Sequence, residues 1–114
     1  SILGAFAMAE AYANCGEWLD TTVATIDENR HHLKSELGRL LPAVGFELPE
    51  SGYLAWLDFS KLELTTARIL DEAKVALVPG PDMGGERYEK WARLNFGTSK
   101  EIITEGLERI ARIL

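Results

Sequence analysis

An α+β fold in two layers, a long N-terminal helix and further helices over a small, mostly antiparallel sheet, is what this sequence predicts. Three observations carry that prediction. Up to Pro42 the apolar residues recur at helical spacing; beyond Pro42 the period shifts to two; and after Thr98 it returns to helical spacing. At 114 residues and 46% hydrophobic, the chain can bury on the order of two-thirds of its unfolded surface around one core.

Residues 2 to 13 are good helix formers but apolar almost all the way round, a pattern that wants cover on every side. Asn14-Cys15-Gly16 interrupts them. Trp18, Thr22, Ile26, Leu33, Leu37, Leu40 and Leu41 then outline an amphipathic helix of about seven turns, with Asp20, Asp27, Glu28, Arg30, Lys34, Glu36 and Arg39 expected on a solvated outer face. Gly45 to Leu48 is a short strand, Pro49 to Gly52 a turn, and Tyr53 to Phe59 a longer strand, apolar on both faces as a central strand should be. Thr65 or Thr66 can cap a short helix to about Lys74. Val75 to Val78 is a compact strand closed by Pro79-Gly80-Pro81, and residues 79 to 90 form a polar, glycine-bearing loop. In the strand from 92 to 97, Ala92, Leu94 and Phe96 share one face, while Arg93 and Asn95 share the other. Thr98 and Glu101 form a capping box for a last helix whose buried face is Ile102, Ile103, Gly106, Leu107, Ile110, Ile113 and Leu114. Glu105 with Arg109, and Glu108 with Arg112, are acid-before-base pairs on its surface.

The net charge of -6 argues against a nucleic-acid partner and against anionic membranes. No apolar run approaches the roughly 20 residues needed to cross a bilayer, and Ser1 to Ala13 lacks a secretory pattern, so a cytosolic address is the expectation. Cys15, the single cysteine, cannot form an internal disulfide and is expected to be a small apolar filler.

Few residues suggest chemistry. His31 and His32 are helical neighbours pointing roughly 100° apart, with no metal-ligand spacing around them. Gly80-Pro81-Asp82-Met83-Gly84-Gly85 has the glycine content of a phosphate cradle but not its lysine-serine ending, which leaves a mobile loop or the wall of a small-molecule site. Ser35, Ser51, Ser60 and Ser99 lack a glycine-flanked elbow, and Asp27-Glu28 and Asp71-Glu72 are adjacent acids that face different directions. Arg93 stands apart. An arginine on the polar face of a core strand is half of a structural ion pair, a simply solvated charge, or a planar two-point receptor for a carboxylate.

Arg93-Leu94-Asn95-Phe96-Gly97-Thr98-Ser99 before an acidic amphipathic helix, Val75-Ala76-Leu77-Val78-Pro79-Gly80 ahead of it, and Tyr53-Leu54-Ala55-Trp56-Leu57-Asp58 earlier resemble the small C-terminal domain of pyridoxal-phosphate-dependent, fold type I enzymes of the class I/II aminotransferase superfamily. The resemblance is nearest to the cystathionine β-lyase (carbon-sulfur β-lyase) branch. Ser1-Ile2-Leu3-Gly4 through Trp18-Leu19-Asp20 and Asn29-Arg30 resemble the segment that in this family follows the cofactor lysine and becomes the interdomain helix. The resemblance therefore implies an interdomain helical segment over residues 1–42 and a small domain over 43–114. It also implies that Arg93 pairs with the α-carboxylate of an amino acid substrate. Met83 stands where relatives often carry an aromatic residue beside the active-site entrance.

The same resemblance implies what must lie elsewhere. None of Lys34, Lys61, Lys74, Lys90 or Lys100 has a serine three places before it, so the Schiff-base lysine is not among them. The large cofactor-binding domain is expected N-terminal to Ser1, pyridoxal 5'-phosphate is expected in the full-length homodimeric enzyme and not on this stretch alone, and this stretch alone is expected to be inactive. Carbon-sulfur β-elimination is the leading expectation, transamination the alternative. From another class, a stand-alone interaction module could use the apolar helix 2 to 13 to bind a partner.

Overall fold

The computed structural model describes residues 1–114. Helix α1 (Ile2–Asn14) leads through Cys15 into α2 (Gly16–Leu40), followed by β1 (Gly45–Phe46), β2 (Leu54–Asp58), α3 (Thr66–Arg68), β3 (Val78–Pro79), α4 (Pro81–Gly84), β4 (Trp91–Asn95) and α5 (Lys100–Arg112). The four strands make one antiparallel sheet in the order β1-β2-β4-β3. Along the central pair, Leu54 lies opposite Asn95, Trp56 opposite Arg93 and Asp58 opposite Trp91. On its other side Arg93 lies opposite Val78.

Side chains alternate across these strands, so the sheet has two unlike faces. One presents Ala55, Leu57, Ala92 and Leu94, all buried, to Leu33 and Leu37 of α2 and Ile103, Leu107 and Ile110 of α5. Each fully buried Leu or Ile there contributes about 1.5–3 kcal/mol relative to exposure. The helices cover only this face. The fold is the two-layer α+β arrangement the sequence predicts, and β2 is central, as its apolar residues on both faces anticipate.

Several details differ from expectation, each for a local reason. Val75 to Leu77 are not in a strand: after α3 the backbone widens into a π turn (Ile69–Ala73) and leaves it at Lys74 in the left-handed region (φ 56°), so pairing with β4 begins only at Val78. β1 likewise keeps only Gly45 and Phe46. The cap of α5 is Ser99 rather than Thr98, its hydroxyl accepting from the Ile102 amide at 3.3 Å. Thr98 stays outside the helix because its carbonyl is engaged elsewhere. Thr65 does cap α3, accepting from the Arg68 amide, and both surface pairs of α5, Glu105–Arg109 and Glu108–Arg112, are formed.

The expected buried stripe of α2 is only half realised. Leu33 and Leu37 are buried, but Trp18 is 69% exposed, because no layer lies over the first half of the helix. Cys15 is likewise no core filler; it sits half-buried at the α1–α2 junction. Glu36, expected in solvent, is buried near α5, where Arg39 donates to both of its carboxylate oxygens at 3.0 and 2.6 Å. That hydrogen-bonded guanidinium holds the Glu36 carboxyl below its ordinary 4.5, against the opposing effect of burial, with Thr104 and His32 assisting.

Candidate functional site

The uncovered face of the sheet carries Leu54, Trp56 and Asp58 from β2, Trp91, Arg93 and Asn95 from β4, and Val78 from β3. Trp56 stacks on Trp91 at 5.6 Å, and Tyr88 meets both edge-on at 5.5 and 5.6 Å. Tyr88 reaches this face because the chain folds down tightly after β3. Gly80 is buried, and a side chain there would overlap the carbonyl oxygens of Tyr88 and Trp91; at Gly84 one would overlap the Tyr88 ring. Residues 80 to 88, α4 followed by a 3-10 turn at Glu86–Tyr88, lie at the edge of this face, enclosed at Gly80 and half-buried at Tyr88 while residues 82 to 87 are exposed.

Arg93 rises from the middle of the face, half-buried, with Trp56 on one flank and Val78 on the other. Of the seven arginines in the sequence, five are in ion pairs with acids: Arg30, Arg39, Arg68, Arg109 and Arg112. Arg87 lies over the ring of Tyr88, 4.7 Å from its centre. Arg93 alone has neither an acid nor a ring as partner. Its Nη1 donates to the sulfur of Met83 at 3.7 Å, a contact with a weak acceptor. A guanidinium flanked by apolar groups and held by a thioether keeps its capacity for a two-point bond to a carboxylate. Of the alternatives open for Arg93 from sequence, the internal ion pair is not formed, which leaves a solvated charge and a carboxylate receptor.

The other candidates stay apart from this face. His31 Nδ1 contacts the Asp27 carbonyl at 2.9 Å and His32 Nε2 the Thr104 hydroxyl at 2.8 Å, both on the helical layer. No three His, Cys, Asp or Glu side chains converge as a metal site would require. Lys74, Lys90 and Lys100 pair with Asp71, Glu63 and Glu28, while Lys34 and Lys61 are exposed on α2 and the turn after β2. No lysine shares the face of Arg93.

One residue escaped the sequence reading. Asn29 is 2% exposed on α2, its amide donating to the Phe96 carbonyl at 3.0 Å and to the Thr98 carbonyl at 2.6 Å. Its signal was positional: it follows Ile26 by three and precedes Leu33 by four, which places a polar residue on the buried stripe.

The chain is similar to known proteins both in sequence and in fold. Residues 2–110 match the family described as aminotransferase class I and II, and the chain belongs to that family. It is 41% identical over 117 residues to a cystathionine beta-lyase of Corynebacterium glutamicum, covering 100% of this chain and 31% of that protein. To the cystathionine beta-lyase PatB of Bacillus subtilis (strain 168) it is 38% identical over 119 residues, 98% of this chain and 30% of the relative. The crystal structure of cystalysin from Treponema denticola, which contains pyridoxal 5'-phosphate, superimposes with a TM-score of 0.79 at 27% identity, over 90% of this chain and 27% of that one. The chain thus spans less than a third of the length of the relatives it matches. No helix is long and apolar enough to cross a membrane.

Proposed function

We propose that Arg93 binds the α-carboxylate of an amino acid in a pyridoxal-phosphate-dependent enzyme of which these residues form the substrate-orienting part. The observation that carries this is a guanidinium on the open face of the sheet that no acid of the chain neutralises. Residues 1–42 then serve as the interdomain helical segment and 43–114 as the small domain, with the large domain outside this stretch. A cytosolic homodimer is the assembly we infer. Carbon-sulfur β-elimination is the reaction favoured, because the relatives at 41% and 38% identity are cystathionine beta-lyases. Transamination is the second reading, supported by the family description itself.

The residues present do not fit covalent attachment of the cofactor, since no lysine shares the face of Arg93. When bound in the complete enzyme, the cofactor supplies the sink for the electron pair left at the substrate α-carbon. What this chain contributes is orientation. Two parallel hydrogen bonds from Arg93 fix the plane of the carboxylate, and with it the direction of the bonds at the α-carbon. The wall of Tyr88, Trp91 and Trp56 beside it limits water at that end of the site.

The test is Arg93→Ala in the full-length enzyme. KM for α-carboxylate substrates is expected to rise steeply, on the order of a hundredfold for loss of a charged hydrogen-bonded pair, with little change for the corresponding decarboxylated amines. Equal effects on both substrate types would remove the carboxylate role.

A further inference from the structure

The three residues that follow β4 are each tethered. The Phe96 amide donates to the Tyr53 carbonyl at 2.9 Å, extending the pairing with β2. The Gly97 amide donates to the Asn95 side-chain oxygen at 2.8 Å, in a turn so close that a side chain at Gly97 would press on that oxygen at 3.2 Å. The carbonyls of Phe96 and Thr98 both accept from Asn29, 67 and 69 residues earlier in the chain. Asn29 is also the first buried residue of the molecule, the point at which α2 passes from open solvent into the core.

We propose that Asn29 is a positioning residue for Arg93, fixing the end of β4 to α2 so that the placement of the long helix sets the placement of the guanidinium. Arg93 lies three residues before Phe96, about 10 Å along the same strand, and its own head group is held inside the chain only by the Met83 sulfur. The guanidinium therefore takes its position from the backbone of β4. The sheet holds that backbone laterally through β2 and β3, and Asn29 holds its end. Without the amide, two carbonyls in a part-buried turn lose their donor and the turn must open toward water to satisfy them. A misplacement of even an ångström at a substrate-binding group is enough to slow an enzyme markedly.

This inference rests on the carboxylate role proposed for Arg93, and the experiment separates the two. In the full-length enzyme, Asn29→Ala and Arg93→Ala are assayed side by side, well below their unfolding temperatures, with an amino acid and with the corresponding decarboxylated amine. The ratio of the two kcat/KM values is the readout, because any loss of active protein cancels from it. Asn29→Ala is expected to lower that ratio about tenfold, mainly through KM for the amino acid. Calorimetric affinity for an unreactive carboxylate, propionate, falls by the same factor. Asn29→Ser, which keeps one donor in a smaller side chain, should recover part of the loss and replaces the alanine variant if that does not fold. An unchanged ratio for Asn29→Ala, or for Asn29→Ser where the alanine variant does not fold, with Arg93→Ala still lowering it, overturns the positioning role alone. An unchanged ratio for Arg93→Ala overturns the carboxylate role and this inference with it.

Discussion

Residues 2 to 28 and residues 29 to 114 are both rich in apolar side chains, yet all 19 buried residues belong to the second region. In the first, Ile2, Leu3, Phe6, Met8, Tyr12, Trp18, Leu19 and Val23 are all more than half exposed. The boundary falls inside one continuous helix, since α2 runs from Gly16 to Leu40 and first becomes buried at Asn29. The radius of gyration, 16.7 Å, exceeds the roughly 13 Å of a compact domain this long, which matches a helical arm projecting from a packed body. Hydrophobicity supplies a demand for burial, and a second layer must be present to meet it.

Truncating an apolar side chain should have very different effects on stability in the two regions. Phe96→Ala, at a fully buried position, should cost about 3–5 kcal/mol, enough to leave a marginal domain unfolded. Phe6→Ala, at a position 70% exposed, should stay within about 0.5 kcal/mol. Urea denaturation of the two variants decides it, and a large loss at Phe6 would mean that α1 is packed after all.

A smaller effect with opposite signs comes from one substitution made twice. Gly80→Ala places a methyl group against the carbonyls of Tyr88 and Trp91 and should destabilise by about 1–3 kcal/mol, while loosening the wall beside Arg93. Gly38→Ala lies on α2 with nothing within 4 Å and should stabilise by about 0.5–1 kcal/mol. Thermal melts of both test how tightly Gly80 is enclosed.

The smallest effect concerns pH. Glu36 has a folded pKa below its ordinary 4.5 because Arg39 hydrogen-bonds the charged form. A depressed carboxyl stabilises the fold above the unfolded pKa, and that contribution is lost as pH falls through the folded value. Stability measured from about pH 5 downward should therefore decline less steeply in Glu36→Gln than in the parent, because the substituted side chain does not titrate. An identical slope would show that the α2–α5 contact does not report on this carboxyl.

Much of the site was legible because strand alternation is a strict local rule. Once Ala92, Leu94 and Phe96 were assigned to the core, Arg93 and Asn95 had to face the other way. The interaction that holds the strand was not legible in the same manner. Asn29 and the carbonyls it serves are 67 and 69 residues apart, and backbone carbonyls leave no trace in side-chain patterning. The cap of α5 moved from Thr98 to Ser99 for a related reason: both residues can cap, and the bond from Asn29 to Thr98 favours the second. Periodicity puts Trp18 on the apolar side of its helix without showing whether anything lies against it, and Trp18 is 69% exposed.

The sequence by itself determined the main helices and the central strands, their order, the two-layer fold and the face on which Arg93 stands, since propensity and period act over a few residues. Only the tertiary structure decided where along α2 burial begins, that Tyr88 packs against Trp56 and Trp91, and that Arg93 is left without an acid while five other arginines have one. Those outcomes depend on which distant surfaces come to share the same space, and contact between distant surfaces is a property of the assembled chain.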